Sequence, residues 1–367
     1  MLAPLTDRPT AIIPSLVLTR NLRSPTNPTR AISRTLPINR KIIGTAVSQH
    51  ETPPAAIQIG ISACLLGDLV RYDGGHKRFP FATDELSRHF EFIRVCPEQA
   101  IGLGVPRPTI QLVGDPDQPR VQGSKDKNID VTDALAEFGR KTAAQLSYIS
   151  GYIFCAKSPS CGMERVPVYA DNGHSLGKVG VGAFARQIME HNPLLPVEEN
   201  GRLNDVLLRE NFVLRVMAYS RWQQLQIEGI STKGLQDFHR RHKFLLLAHN
   251  QTIYRQLGPL VADAHQDIEQ AAQQYITQFM TALAKPARPG DHCNAMQHIQ
   301  GFLREHISSE DRQQLRRMID DYAAGQLPLL APLEMLHVML QKYRVDYLLD
   351  QYYLNPYPKD LRLRVAL

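Results

Sequence analysis

Three of the chain's five cysteines stand where an apolar run breaks into turn residues. Cys64 lies in Ser62-Ala63-Cys64-Leu65-Leu66-Gly67, Cys96 in Val95-Cys96-Pro97-Glu98, and Cys161 in Lys157-Ser158-Pro159-Ser160-Cys161-Gly162. The runs before them, Ile57 to Ile61, Glu91 to Val95 and Gly151 to Phe154, read as buried strands. Parallel strands of an open α/β sheet deliver their carboxyl ends to a common crevice, where ligands bind. Three thiolates converging there, with no fourth from these blocks, describe a metal centre with one open coordination position. An open position marks a catalytic metal site rather than a structural one. No Cys-x-x-Cys pair occurs in the chain, which excludes a zinc ribbon, a dithiol oxidoreductase motif and the common ferredoxin run. The odd cysteine count, without a hydrophobic leader segment, points to a reducing compartment and a cytoplasmic location. Cys155, in the Tyr152-Ile153-Phe154 run, is expected to be a buried, inert side chain standing apart from the site. Cys293, behind a Pro/Gly loop, is expected to be exposed and to complete no site.

Positioning those cysteines requires alternating strands and helices from 56 to about 205. Thr83 to Phe90 reads as a short helix capped by Thr83, and a longer helix opens at Asp130-Val131-Thr132-Asp133. The rhythm is that of βαβ units, so the fold class is an α/β Rossmann-like N-terminal catalytic domain followed by an all-α helical domain. No Gly-x-Gly-x-x-Gly follows a strand, and no nucleotide cofactor is inferred. Beyond residue 203, helical periodicity gives Leu203 to Leu225, Leu235 to Leu257, Ala262 to Leu283, Cys293 to Glu305, Ser309 to Ala324 and Pro332 to Tyr353. The domain boundaries follow as 1–55, 56–205 and 206–367, within the range of ordinary domain sizes. Residues 1–55 are expected to form a disordered Arg-rich extension, a composition shared with organelle transit peptides. No apolar stretch approaches the length of a membrane span, so no membrane association is expected.

Here the motifs carry a resemblance. The blocks Ser62-Ala63-Cys64-Leu65-Leu66-Gly67, Arg71-Tyr72-Asp73-Gly74, Cys96-Pro97-Glu98, Gly102-Leu103-Gly104-Val105-Pro106-Arg107 and Lys157-Ser158-Pro159-Ser160-Cys161-Gly162 resemble the TudS-type thiouracil desulfidase family. Gly201-Arg202-Leu203, after Pro196-Val197-Glu198-Glu199, matches the end of that pattern. Further on, Phe238-His239-Arg240-Arg241-His242-Lys243-Phe244 and Tyr353-Leu354-Asn355-Pro356-Tyr357-Pro358 resemble the YbgA-type helical domain. The resemblance implies a 4Fe–4S cluster held by Cys64, Cys96 and Cys161 with one open iron, a soft Lewis acid suited to sulfur. It also implies Glu98 as general base and Ser158 as proton relay or binder of the adduct. Fusions of these two domains are implied to remove sulfur from 4-thiouridine in tRNA, an RNA-modification reaction, whereas stand-alone domains act on free thiouracils.

Each of these residues carries a second reading. Glu98 could instead cap the helix after Cys96-Pro97, and Ser158 could be an ordinary turn hydroxyl. Arg71 and Asp73 either hold the pyrimidine edge or phosphate, or pair with each other. Arg107, in a rigid Pro-Arg-Pro loop, and Lys157 complete the expected substrate-binding set. The formal charge of +6 comes entirely from residues 1–50, so global charge says nothing about tRNA. A local basic patch does: Arg240, Arg241 and Lys243 are expected to bind RNA, the plain alternative being a solvated helix face. His242 and His249 are expected to be structural. The reading is therefore a desulfidase of thiolated tRNA, with its oligomeric state open. The competing readings are a desulfidase of free thiouracils or thionucleosides with a regulatory helical domain, and a non-catalytic iron–sulfur sensor.

Overall fold

The first strand of the fold, β1 (Ile57–Ser62), has its last four residues buried, as a strand covered on both faces requires. In the computed structural model, which describes residues 56–365, it is followed by β2 (Phe90–Val95), α1 (Pro97–Ala100), β3 (Ile110–Val113), β4 (Arg120–Gly123) and α2 (Thr132–Gln145). Then come β5 (Gly151–Phe154), β6 (Val166–Tyr169), β7 (Ser175–Gly180), α3 (Ala183–His191) and β8 (Val197–Glu199). The expected extension over residues 1–55 lies outside the described residues. Strands β2-β1-β5-β8 form one four-stranded sheet, parallel throughout, and all three strands expected to lead into cysteines belong to it. Ser62 pairs with Val95 and Ile61 with Ile153, so β1, β2 and β5 end nearly level. Whatever follows them in sequence is thereby brought to one edge.

Neighbouring residues of β5 show how the sheet is covered, because side chains alternate between faces. Tyr152 stacks on Phe154 and reaches Phe184 of α3, with ring centroids 4.3 and 6.1 Å apart. A Cβ on Gly151 would come within 2.7 Å of Val216, on the first helix of the helical region. Helices therefore cover both faces, as the α/β reading requires.

A second four-stranded sheet, β4-β3-β6-β7, was not expected from the sequence. It is mixed, with β3 and β6 parallel and both outer pairs antiparallel, around a small core of Leu112, Val121, Leu135, Val166 and Val168. The helix expected over Thr83 to Phe90 is corrected to a π-turn at Phe81–Glu85 and a single 3-10 turn at Leu86–Arg88. Thr83 caps nothing and instead donates its hydroxyl to Asp84, 2.8 Å away, while Phe90 already belongs to β2.

The helical region comprises α4 (Val206–Glu228), α5 (Thr232–His249), α6 (Gln251–Ala262), α7 (Ile268–Leu283), α8 (Pro289–Phe302), α9 (Ser309–Ala323), α10 (Leu330–Lys342) and α11 (Asp346–Leu349). Two expected helices are each split. The 235–257 run breaks at Asn250, extended at φ −156, whose side chain accepts the Ile253 N–H at 3.0 Å and starts a new helix. The 332–353 run breaks where Arg344 turns left-handed at φ 52. Asp205, Ser231 and Asp267 cap α4, α5 and α7 in the same way as Asn250. One buried core runs from Ile59 in β1 to Leu363, so sheet and helices share their interior. Among the described residues, no helix is long and apolar enough to cross a membrane.

Candidate active site

At the carboxyl edge of the parallel sheet lies a cavity of about 580 Å³. Cys64, on the turn Ala63–Leu66 after β1, lines it together with Cys96 after β2 and Cys161. The three cysteines singled out by their strand-end positions are thus brought to one volume. Cys155 lines it as well, which corrects the expectation that it stands apart. Its strand ends at Phe154, so Cys155 is the first residue past the edge and not part of the strand wall. Its Sγ lies 4.0 Å from the Ala156 carbonyl. Cys293 is buried rather than exposed, inside α8 with Sγ 3.6 Å from the Ile319 carbonyl, and takes no part in the site.

Glu98 sits in the short helix α1, where Pro97 occupies the first turn. Its side chain does not cap that helix. Oε2 accepts from Arg107, from Nε at 2.9 Å and also from Nη2. Oε1 accepts from Ser160 Oγ at 2.5 Å and Ser158 Oγ at 3.5 Å. Ser158 Oγ in turn accepts the amide N–H groups of Ser160 at 3.2 Å and Cys161 at 3.1 Å. With its acceptor side taken, the hydroxyl proton is free to turn toward Glu98. The turn closes tightly: a Cβ on Gly162 would approach the Ser158 carbonyl to 2.8 Å. Ser160, fully buried, was missed by sequence reasoning, because a serine in a Ser-Pro-Ser turn carries no distinguishing signal.

The four residues expected to bind substrate all line the cavity. Arg71 Nε lies 3.7 Å from Asp73, whose carboxylate also accepts the Gly75 N–H. Lys157 is exposed at the rim and holds a left-handed φ of 67, turning the chain from β5 into the Ser158 segment. Arg107 differs from the expectation of a substrate contact. Its side chain is only 3% exposed, and its donors reach Glu98 and the carbonyls of Gly104 and Val70. It fixes the carboxylate in place. Tyr72, His76 and Lys77 also line the cavity, and the Tyr72 ring is exposed.

Burial pushes the Cys161 thiol far up, with the Glu98 charge adding to the effect, and burial also raises Cys96. The neighbouring Cys64 and Cys155 thiols shift each other in opposite directions, Cys155 down to about 7 and Cys64 up. A bound metal reverses such resistance by ionising thiols outright. Among the described residues, no three His, Cys, Asp or Glu side chains could hold a single metal ion. A cluster, whose thiolates sit on separate irons, suits the wider arrangement around the cavity.

On α5, Arg240 bonds Asp237 and Asp350 at 2.7 and 2.6 Å, and Arg241 reaches Asp350 at 2.9 Å. Lys243 lies among the rings of Phe244, Phe302 and Tyr347. The expected RNA-binding patch is thus partly neutralised by its own partners. Arg221, on α4, stacks over Tyr352 at 3.7 Å and donates to the Pro356 carbonyl. His242 is fully buried, donating to the Phe238 carbonyl at 2.7 Å, and His249 bonds Leu245 O at 2.8 Å, both structural as expected.

Residues 59–200 match the family of 2-thiouracil desulfurases. Residues 243–358 match a family of proteins of unknown function (DUF1722). An uncharacterized protein of Escherichia coli strain K12, YbgA, is 38% identical over 157 residues, which is 42% of this chain and 93% of that protein. The solved structure of TudS, a 4Fe–4S-dependent thiouracil desulfidase, is 29% identical, covering 40% of this chain and 93% of its own, with a TM-score of 0.33.

Proposed function

The chain belongs to the YbgA family and carries a 2-thiouracil desulfurase domain ahead of its helical region, and from that membership we propose that it removes sulfur from thiolated uracil, hydrolysing 4-thiouridine in tRNA to uridine and sulfide. The observation that carries this reading is Glu98, a carboxylate fixed by Arg107 and two serines on the wall of a cavity that four cysteines also line. Cys64, Cys96 and Cys161 would hold a 4Fe–4S cluster there. Bound, it supplies a soft Lewis acid for the thiocarbonyl sulfur, which makes the ring carbon more electrophilic and accepts sulfide as it departs.

The chain's own residues do the rest. Oε1 of Glu98, facing the serines, takes the proton of a water adding to the ring carbon. Ser158 passes that proton or holds the oxygen of the adduct, its hydroxyl oriented by the two amides that occupy its lone pairs. Arg107 keeps Oε2 occupied, so the carboxylate does not turn away between turnovers. Arg71, Lys77 and Lys157 bring positive charge to the cavity lining, suited to a phosphodiester beside the thiolated nucleotide.

A second reading, a free thiobase as substrate, is favoured by one observation: the pairing of Arg240 and Arg241 with acidic residues weakens the patch intended for RNA. Anaerobic incubation of cluster-loaded protein with 4-thiouridine-bearing tRNA and with free 4-thiouracil separates the two. Loss of thiocarbonyl absorbance from tRNA, with slower loss from the free base, is the expected outcome. Turnover of the free base alone would reverse the assignment, and turnover of neither would reject both.

A further inference from the structure

Cys155 is the cavity cysteine to which no motif gives a task. It sits one residue beyond β5, its N–H bound to Ser62 Oγ at 3.0 Å, and the residue is 5% exposed. Its sulfur donates to a distant carbonyl, Ala156 O at 4.0 Å. Lys77 reaches that same carbonyl at 3.5 Å, and Lys77, Arg71 and Glu98 line the same cavity. Cys155 thus shares one cavity with the acid–base and cationic groups and with the three cysteines assigned to the cluster. This position has a consequence for a cluster held by only three cysteines. Its fourth iron would be open to solvent whenever substrate is absent, and iron without a protein ligand is readily lost. The remaining sulfur donor among the cavity-lining residues is Cys155.

We propose that Cys155 is a displaceable fourth ligand, closing the iron that Cys64, Cys96 and Cys161 leave open and yielding it to the sulfur of the substrate. The inference rests on the cluster reading above. The exchange involves no oxidation or reduction. An incoming sulfur donates an electron pair, and Cys155 leaves with its own pair as a thiolate on the wall that Lys77 and Arg71 also line.

The test uses the full chain, reconstituted anaerobically, with Cys155→Ser and Cys155→Ala beside the wild type. All three are expected to bind the same amount of iron. On mild ferricyanide oxidation, the paramagnetic signal of a three-iron cluster is expected to grow several-fold faster in both variants. In titrations with hydrosulfide followed by cluster absorbance, both variants are expected to reach half-saturation at several-fold lower concentration, because no thiolate has to be displaced. Equal oxidation rates and equal half-saturation in all three proteins would make Cys155 an ordinary wall residue and overturn the proposal. Loss of iron from both variants, with the protein still folded, would overturn it differently, by making Cys155 a permanent ligand. A wild-type chain that takes up no iron would reject the cluster reading itself, and this inference with it.

Discussion

At the level of single residues, the acid–base chemistry depends on how Glu98 is held. Arg107 occupies one carboxylate oxygen and the serines the other, so replacing the acid by its amide keeps the shape while removing the proton acceptor and the charge facing Arg107. Glu98→Gln is therefore expected to retain full iron content while turnover falls by about 10²- to 10⁴-fold, read as thiocarbonyl absorbance. Wild-type turnover at full iron content would assign the glutamate a purely structural role. Ser160→Ala separates the two serines: it removes the shorter contact to Oε1 while Ser158 keeps its amide partners. The expected loss is smaller than that of Ser158→Ala, since Ser160 is fully buried and holds the base without meeting the reacting water. The gathering of Cys64, Cys96 and Cys161 at one cavity was legible because each follows a strand of the parallel sheet, whereas the roles of Glu98 and Ser158 came with the resemblance. The place of Cys155 on the cavity wall was not legible, because one residue past the end of a buried strand reads like the strand itself.

Strand packing at the element level sets the precision of the cysteine edge. A Cβ on Gly60 of β1 would come within 2.3 Å of the Tyr152 ring on β5, which is itself stacked on Phe154. Gly60→Ala is expected to destabilise the protein by about 1–3 kcal/mol, measured by denaturant unfolding. Iron uptake is expected to weaken with it, because β1 carries Cys64 and β5 leads to Cys155. Unchanged stability and uptake would show that the ring can move aside. Strands β1, β2 and β5 were readable because each leads into a cysteine block, whereas β3, β4 and β6 span four residues with no such landmark and β7 is largely exposed. Helix positions were readable from periodicity, but their ends were set by caps that periodicity ignores. At Asn250 the apolar stripe continues through a break, since the cap bond to Ile253 is local and the next helix packs on the same core. Asn250→Ala is expected to lower stability by about 1 kcal/mol in the same unfolding measurement; no change would mean that packing alone fixes the break.

Across the whole molecule, charge and buried histidine bear on how the site meets its substrate and survives acid. Because Arg240 and Arg241 are held by Asp237 and Asp350, the cavity lysines are expected to contribute more to a tRNA's salt dependence than that pair. Lys77→Ala with Lys157→Ala should flatten the logarithmic slope of affinity against salt by roughly 0.9 per lost phosphate contact, and Arg240→Ala with Arg241→Ala by less. Filter binding over a salt series checks the order, and the reverse order would return the helical patch to first place. Stability in acid follows from the histidines of the helical region. Burial lowers His239 to about 4, lowers His249, and drives His242 and His292 well down, with Arg221 and Arg241 adding to the effect at His242 and Arg364 at His292. All four are neutral in the fold, while in the unfolded chain they take protons below about pH 6.5. Above that pH they cost nothing. Below it the unfolded state gains protons that the fold refuses, so stability falls at up to about 1.4 kcal/mol per pH unit for each group. The depressed carboxylates, such as Asp350 beside its two arginines, begin to add their own loss only near pH 4, so above it the histidines drive the fall, opposed by Glu199, which burial raises. Sheet and helices share one core, so the cysteine cavity should be lost in the same transition. Melting temperature is expected to drop steadily from pH 7 to pH 5, and His242→Phe, which keeps a ring between Phe238 and Tyr352, should make that drop shallower. A melting temperature flat across this range would mean that these histidines open to solvent before the core does.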